Sequence, residues 1–367
     1  MTVSLCVIAY NEQNALPSLL DDILSQSYPR KDTELVFVDS GSHDATKKIY
    51  EAFRDSHIGE YLGIVICDNP AGNQASGWNT AIRASSGDII IRVDAHASIP
   101  EFFVENNVKV IKSGEDVCGG ARPSNILDPT PYREMLLLAE SSMFGSSFAS
   151  YRRTGGGKRY VSSLFHGAYR REVFAKAGGF NSSLGRTEDN ELHWRIRQNG
   201  YRICQSDEII SYQNIRPTLG AMLRQKYGNG KWIGLTVGVC PGCLSLFHFV
   251  PFCFVIAVIL CAGLLAAGLL TGIFLLTLPA VLLCGAYLLA DIFMSVTAVI
   301  SAGKFTPPML LLGFVFPMLH IVYGVGTLVG LCRMHGWKRS LDGSAEKEIE
   351  EVRECAAARL RVREEKL

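Results

Sequence analysis

The first third of the chain alternates short apolar runs with segments in which apolar residues recur at helical spacing. Continuous apolar runs are typical of strands buried on both faces of a parallel sheet. They predict strands at residues 3–9, 35–38, 64–67 and 89–93. The helical spacing between them predicts helices that begin near Leu16, Ser42 and Gly72, and a further one over residues 101–111. This order of elements predicts an α/β fold with a mostly parallel central sheet.

Acidic residues stand where the predicted strands end. Asp39, Asp68 and Asp94 each follow a strand, and Glu12 lies in the loop after the first one. The carboxyl ends of parallel strands meet at one edge of a sheet, which is where ligands of open α/β sheets bind. Two positions after Asp94, His96 can point to the same side of an extended chain. A carboxylate and an imidazole can hold a divalent metal there, although a strand-ending Asp beside a surface His is the simpler alternative.

Between residues 244 and 331 the sequence is strongly apolar, and its only Asp, Glu, Lys or Arg residues are Asp291 and Lys304. A helix needs about 20 apolar residues to span a bilayer. Residues 247–270, 273–300 and 309–331 are each long enough. We therefore expect three parts: a cytosolic domain over residues 1–232, a transmembrane region of about three spans over residues 233–332, and a charged tail over residues 333–367.

An odd number of spans places the end of the chain outside the cell, yet Arg333, Lys338 and Arg339 favour the cytoplasm. A fourth segment or a re-entrant piece within residues 233–250 would reconcile the two. The charges in the tail recur at helical spacing, which predicts a solvated helix.

Composition narrows the function. The 367 residues are 48% hydrophobic with a net charge of +1 and no long Lys/Arg run, which disfavours nucleic-acid binding. Met1 leads directly into the first strand, so we expect no signal peptide and a cytoplasmic catalytic part. Cys240 and Cys243 have redox-motif spacing without the strand–helix context that such a motif needs. A Gly-x-Gly-x-x-Gly motif after the first strand is missing, which disfavours a Rossmann dinucleotide site.

Two motifs carry a family resemblance: VIAYNE at residues 7–12 and VFVDSGSHDAT at residues 36–46, continued by Asn79, Gly87-Asp88 and Asp94-Ala95-His96. Together they resemble the opening of a family 2 glycosyltransferase with a GT-A fold, over roughly residues 3–231. The Asp-Ala-His-Ala form is similar to that of the succinoglycan-type exopolysaccharide glucosyltransferases. The resemblance implies a nucleotide-sugar donor site, and the donor-binding residues that we expect are Ala9, Tyr10, Glu12, Asp39, Asp68, Asn79, Arg92 and Asp94.

In that family an Asp-x-Asp element binds the diphosphate through Mn²⁺ or Mg²⁺. Here the metal ligands expected from the resemblance are Asp94 and His96. Because a histidine replaces the second acid of the element, we expect Mn²⁺ rather than Mg²⁺. Gly178-Gly179-Phe180-Asn181 precedes a Glu188-Asp189 pair at a predicted helix start. By itself that pair is typical of helix capping. The resemblance implies instead that Asp189 is the catalytic base, with Glu188 as its neighbour or substitute.

Several residues have two open interpretations. His166 is either a structural histidine or a part of the donor site. Arg224, Lys231 and Trp232 are either anchors at the membrane interface or contacts of the diphosphate or the acceptor. Gly155-Gly156-Gly157 forms either a mobile loop over the diphosphate or a plain connection.

The resulting hypothesis is an inverting, metal-dependent transfer of a hexose from a UDP-sugar to a polyprenyl-diphosphate-linked saccharide, in exopolysaccharide or cell-surface glycan synthesis. We expect a multi-pass protein of the cytoplasmic (inner) membrane whose catalytic domain faces the cytoplasm, with other glycan-assembly proteins as possible partners. The alternatives are a processive polysaccharide synthase, a polyprenyl-phosphate glycosyltransferase, and a non-enzymatic membrane scaffold with a degenerate donor site.

Overall fold

A computed structural model describes residues 1–126, 128–145 and 157–364. Within them the predicted α/β fold is confirmed. The strands are β1 (Val3–Ala9), β2 (Thr33–Asp39), β3 (Gly63–Asp68), β4 (Ile89–Asp94), β5 (Ala97–Ser98), β6 (Val117–Ala121), β7 (Ser124–Asn125), β8 (Lys158–Tyr160), β9 (Ala168–Arg170), β10 (Ile203–Ile210) and β11 (Tyr212–Asn214). The helices are α1 (Leu16–Leu24), α2 (Thr46–Ser56), α3 (Gln74–Ala84), α4 (Phe103–Lys112), α5 (Pro131–Ser141), α6 (Arg171–Ala177), α7 (Glu188–Gln198), α8 (Leu219–Thr236), α9 (Val250–Thr271), α10 (Leu278–Ser301), α11 (Leu312–Arg339) and α12 (Ser344–Glu364).

The central sheet has eight strands in the order β3-β2-β1-β4-β9-β6-β10-β8. Strands β3, β2, β1 and β4 pair in parallel, and β9 pairs antiparallel with both β4 and β6. In the register of the sheet Ala9 lies opposite Asp39, and Asp39 opposite Asp68. Asp94 pairs with Ile8, one residue before Ala9. The predicted meeting of strand-end acids at one edge is therefore confirmed.

Apolar residues cover both faces of the sheet, as expected for a parallel sheet. Leu5 and Val7 face a core that contains residues of α1, α2 and α4, whereas Cys6 and Ile8 face a second core with residues of α3, α6 and α12. Helix α2 begins at Thr46, four residues later than predicted. Ser42 does not cap it, because the Ser42 hydroxyl accepts a hydrogen bond from the Asn11 N–H at 2.9 Å.

The chain divides into two compact units. The first unit contains the described residues of Met1–Pro123, Ser150–Gln213 and Leu341–Leu367. The prediction of a solvated tail helix was wrong: α12 belongs to this unit, and Val352 and Ala356, one helical turn apart, are buried in the core that it shares with α3 and α6. Because this apolar stripe is short and charged residues occupy the other faces of α12, the sequence pattern indicated a solvated helix.

The second unit contains the described residues of Ser124–Ala149 and Asn214–Ser340. Among the described residues, three helical stretches are long and apolar enough to cross a membrane: Leu246–Thr271, Phe274–Ser301 and Pro307–Arg339. Gly272, in the left-handed region with φ +71°, makes the tight turn between the first two.

Candidate active site

Asp94 ends β4 and is buried at the carboxyl edge of the sheet. Its Oδ2 lies 3.5 Å from Nε2 of His166, and Nδ1 of His166 lies 2.8 Å from Oγ of Ser211. Burial opposes ionisation of Asp94, but the hydrogen bond to His166 and the nearby His96 and Arg92 hold the pKa of Asp94 below its usual range. Burial lowers the pKa of His166 below that of an exposed histidine. An ionised carboxylate therefore lies beside a neutral imidazole.

His96 lies in the turn after β4 and is held from two sides. Its Nδ1 is 3.1 Å from Oε1 of Glu12, and the Gln213 amide nitrogen donates toward its Nε2 at 3.2 Å. Since Nε2 accepts, Nδ1 carries the proton and donates to Glu12. Gln213 in turn accepts a hydrogen bond from the Arg122 guanidinium. No sequence pattern pointed to Gln213, which reaches His96 because β11 pairs with β5 and places Gln213 opposite Ala97.

Asp39 ends β2 with an exposed fraction of 4%. Its Oδ2 accepts a hydrogen bond from the Ser42 N–H at 3.1 Å, whereas its buried Oδ1 has no hydrogen-bond partner within the described residues. A buried acceptor without a partner is costly, so this atom is suited to a donor on a ligand. The backbone oxygen of Ala9 accepts from the Ser40 N–H, and the side chain of Tyr10 is exposed next to this edge in sequence.

Asp68 is in register with Asp39 but differs from it in exposure. Its carboxylate is 66% exposed and lies 2.6 Å from Nζ of Lys47. Lys47 balances its charge on the surface, so Asp68 differs from the buried acids Asp39 and Asp94.

Glu188 and Asp189 begin α7, as the sequence predicted. Asp189 is partly exposed, and its Oδ1 lies 2.5 Å from Nη1 of Arg92. The Arg92 guanidinium lies between two aromatic rings, 4.6 Å from the centre of Trp78 and 4.7 Å from that of Phe180. Arg92 was expected to bind the donor; the structure places its guanidinium on Asp189 instead, in a cation–π arrangement that fixes its plane.

Glu188 differs from its neighbour Asp189 in its surroundings. Glu188 is buried, and its Oε2 has no hydrogen-bond partner within the described residues. Burial, and then the charge of Asp189, raise the pKa of Glu188 to about 8. Near neutral pH, Glu188 is therefore mostly protonated, and Asp189 is the carboxylate that Arg92 orients.

Asn79, another expected donor-binding residue, uses its side chain on the backbone of Phe180. Its Nδ2 donates to the Phe180 oxygen at 2.8 Å, and its Oδ1 accepts from the Phe180 N–H at 2.6 Å. Asn79 thus fixes one of the rings that hold Arg92. Trp78 and Phe180 were not predicted as site residues, although Phe180 lies in the Gly-Gly-Phe-Asn motif that the sequence had singled out.

The remaining candidates lie elsewhere. Arg224, Lys231 and Trp232 are on α8 in the second unit, where the Trp232 ring packs edge-on against Trp337 with centres 5.7 Å apart. Gly155 and Gly156 of the predicted loop lie outside the described residues. Within the described part of the chain, no group of three or more His, Cys, Asp and Glu side chains is arranged to hold a metal ion. Asp94 and His96 can therefore supply only part of a coordination sphere.

A family model described as glycosyl transferase family 2 matches residues 4–178. The succinoglycan biosynthesis protein ExoA of Rhizobium meliloti is 27% identical over 234 residues, which cover 63% of this chain and 68% of that protein. An undecaprenyl-phosphate 4-deoxy-4-formamido-L-arabinose transferase of Yersinia pestis is 28% identical over 220 residues, covering 54% of this chain and 61% of the relative. Among solved structures, a mannosyltransferase of Pyrobaculum calidifontis in complex with GDP-Man and Mn²⁺ shares the fold, with a TM-score of 0.54 and 20% identity over 89% of this chain and 86% of that one.

Proposed function

Because the chain is a family 2 glycosyltransferase, we propose that it transfers a hexose from a UDP-sugar to a membrane-linked saccharide with inversion at the anomeric carbon. One observation carries this proposal. Arg92 and Asp94 are two residues apart on β4; Asp94 ends the strand at the donor edge, while Arg92 reaches Asp189 on α7. The same strand thus connects a carboxylate suited to bind the donor with a carboxylate suited to take a proton.

Asp39 supports a nucleoside at this edge, since its Oδ1, which no group in the described part of the chain bonds, can accept from a base N–H or a ribose hydroxyl. Ala9 and Tyr10 follow from the resemblance as further contacts of the nucleotide, and Glu12 would act through His96. Uridine is the base that the family resemblance favours. The Pyrobaculum mannosyltransferase was solved with GDP-Man, so guanosine donors belong in the test.

A divalent metal fits this site in part. Asp94 is a buried, ionised carboxylate whose contact at 3.5 Å is the neutral imidazole of His166, and such a carboxylate suits a metal ligand. His96 would join it through Nε2 by exchanging its hydrogen bond with the Gln213 amide. When bound, the metal neutralises charge on the leaving diphosphate. A nitrogen ligand favours Mn²⁺ over Mg²⁺, and replacing it with a carboxylate in His96→Asp should shift activity toward Mg²⁺.

Asp189 is proposed as the general base. It accepts the proton of an acceptor hydroxyl, whose oxygen forms a bond to the anomeric carbon from the face opposite the diphosphate. The bond from that carbon to the phosphate oxygen breaks, and UDP leaves with the electron pair. Arg92 keeps the Asp189 carboxylate in one orientation, and Trp78 and Phe180 keep Arg92 in its plane.

The acceptor is proposed to be a polyprenyl-diphosphate-linked saccharide in exopolysaccharide or related glycan synthesis. The likeness to a succinoglycan biosynthesis protein and the apolar helices of the second unit support it. Transfer to polyprenyl phosphate itself is the second candidate, because the Yersinia relative is named for undecaprenyl phosphate. With either acceptor, we propose that the enzyme lies in the cytoplasmic membrane with its first unit facing the cytoplasm.

The test is a transfer assay with purified full-length protein in detergent, across UDP- and GDP-sugars, with Mn²⁺, with Mg²⁺ and with a chelator. Three acceptors are compared: a lipid-diphosphate-linked saccharide, a polyprenyl phosphate and the same saccharide without lipid. We expect metal-dependent UDP release with one sugar and transfer to the first acceptor. Equal transfer to the lipid-free saccharide would contradict a membrane-linked acceptor, and absence of nucleotide-sugar binding would contradict the enzymatic function. Products of many sugars would instead indicate a processive synthase.

A further inference from the structure

We propose that the chain crosses the bilayer only twice, through α9 and α10, and that α8 and α11 remain at the membrane surface. Three helices meet the requirements of length and apolarity for a span. The inference therefore concerns which of them cross. It rests on contacts within each unit and on the direction of the helices.

Helix α12 follows the apolar helices in the chain but packs within the first unit. The Gly179 N–H donates to the Ile349 oxygen at 3.1 Å, and the Arg359 guanidinium donates to the Arg83 oxygen at 2.9 Å. Val352 is fully buried in the same core. Groups in direct contact lie on the same side of a bilayer, so the chain between the strands and α12 crosses an even number of times.

Helices α8 and α11 run in the same direction with their backbones in contact. A Cβ atom added at Gly230 would lie 2.0 Å from the Tyr323 oxygen, and one at Gly234 would lie 2.5 Å from the Thr327 oxygen. Two residues beyond the end of α8, Gly238 lies against Met334 of α11. Contacts that advance together along both chains define a parallel pair, and glycines at four-residue spacing permit its close approach.

This parallel pair excludes four crossings through α8, α9, α10 and α11. Successive crossings alternate in direction, so the first and the fourth would be antiparallel. If α8 and α11 both crossed in the same direction, the total would be odd, which the position of α12 excludes.

A crossing of α11 alone would draw α8 into the bilayer beside it. Helix α8 is not among the stretches apolar enough to span, and it carries Arg224, Lys226 and Lys231. A Lys or Arg at the centre of a membrane helix strongly opposes insertion of that helix into the bilayer. The pair therefore remains at the surface, which leaves α9 and α10 as the two crossings.

The surfaces of the helices agree with this assignment. In the most apolar 18-residue stretch of each, 11% and 17% of the residues are buried in the α9 and α10 segments, against 39% in the α11 segment. The exposed apolar side chains of the hairpin include Leu270 and Leu289, exposed by 88% and 72%. Helices α9 and α10 form an antiparallel pair, in which Phe254 stacks on Tyr287 with ring centres 4.6 Å apart and Gly268 lies against Thr277. This exposed apolar surface of α9 and α10 is suited to contact with lipid.

Charge gives the orientation. Lys231 precedes the hairpin and Lys304 follows it, whereas the turn at Thr271, Gly272 and Ile273 has no charged residue. Basic residues in short loops stay in the cytoplasm. Both open ends of the hairpin are therefore cytoplasmic, and the Gly272 turn lies on the opposite face.

The experiment places one short epitope in full-length protein at three positions: after Gly272, after Gly303 and after Leu367. Antibody binding is measured on spheroplasts before and after lysis. We expect only the Gly272 epitope to be accessible before lysis. Early access to the Leu367 epitope would establish an odd number of crossings and overturn the proposal. Antibody binding to the Gly303 epitope before lysis, or no binding to the Gly272 epitope before lysis, would overturn the proposal that α9 and α10 cross the bilayer as a hairpin.

A matched pair of variants tests the contact between α8 and α11 separately. A Cβ atom at Gly330 would lie 2.2 Å from the Lys231 oxygen, whereas no atom of the described residues lies within 4 Å of one at Gly336. Gly330→Ala should lower the melting temperature of the purified protein by several degrees, and Gly336→Ala should not lower it. Equal melting temperatures for the two variants would show that the helices do not pack in this way, and would remove the argument for keeping α11 at the surface.

Discussion

The site contains two aspartates that are held by different kinds of partner. Asp94 ends a strand beside a neutral imidazole, whereas Asp189 begins a helix against a guanidinium that is always charged. The charge of Asp94 remains available to a cation, while that of Asp189 is already balanced. Arg92 instead fixes the direction of the Asp189 carboxylate. The difference supports our proposal that the first acid binds the metal and the second accepts the proton.

Asp189→Asn tests the second assignment and should have the largest effect. An amide cannot accept the acceptor's proton, so we expect kcat to fall by about 10²–10⁴-fold, the usual contribution of a general base. Donor affinity, measured by calorimetry in the presence of Mn²⁺, should stay the same. Retained turnover in this variant, together with its loss in Glu188→Gln, would move the base to Glu188.

Asp94→Asn tests the first assignment. Loss of the ionised ligand should weaken donor binding in Mn²⁺ by at least about 10–100-fold, the usual cost of losing even an outer-shell partner of a metal, and bring it close to the value for wild type with chelator. Asp68→Asn is the matched control, because Asp68 ends the neighbouring strand but is exposed and paired with Lys47. Equal losses in both variants would show that the strand ends act through overall charge rather than through one ligand.

Arg92→Lys tests whether Arg92 orients the Asp189 carboxylate, because lysine keeps the positive charge but lacks the planar guanidinium. An ammonium cannot reproduce the planar contact between Trp78 and Phe180, so we expect kcat to fall about tenfold with little change in donor affinity. In an Asp189→Asn background the same change should leave the residual rate unaltered. An additive loss there would mean that Arg92 acts on the reaction independently of Asp189.

Glu188→Gln should give the smallest effect, visible in stability against pH. The pKa of Glu188 rises from 4.5 to about 8 on burial beside Asp189, so the folded protein favours its protonated form. Its stabilising contribution is complete below the pKa of the unfolded chain and is lost as pH rises toward about 8. Glutamine remains neutral, so the melting temperature of the variant should fall less over this range. Parallel melting curves for the two proteins would contradict a raised pKa.

The strands and the acids at their ends could be predicted because both patterns are local. An apolar run such as Val3–Ala9 can be recognised from fewer than ten consecutive residues. The same holds for a strand that ends in an acid, such as Thr33–Asp39. Asp94 was therefore placed at the correct edge. The start of α7 at Glu188 was predicted in the same way, from Leu192 and Ile196 on one helix face.

The partners of these acids could not be predicted because they are distant in sequence. Arg92 and Asp189 are 97 positions apart, and His96 and Gln213 are 117 apart. Arg92 stands two residues from Asp94, so its position alone pointed to the donor. Only the packing of Phe180 over β4 reveals that it serves the other acid.

The position of α12 has a consequence for the order in which the protein is made. The strands of the first unit are synthesised first, but the helix that buries Val352 against α3 and α6 follows the whole apolar region. Until then, Gly178 and Gly179, which lie directly before Phe180, lack the neighbours Ile349 and Val352 that cover them. The support of Arg92 is therefore completed only after the apolar helices have left the ribosome.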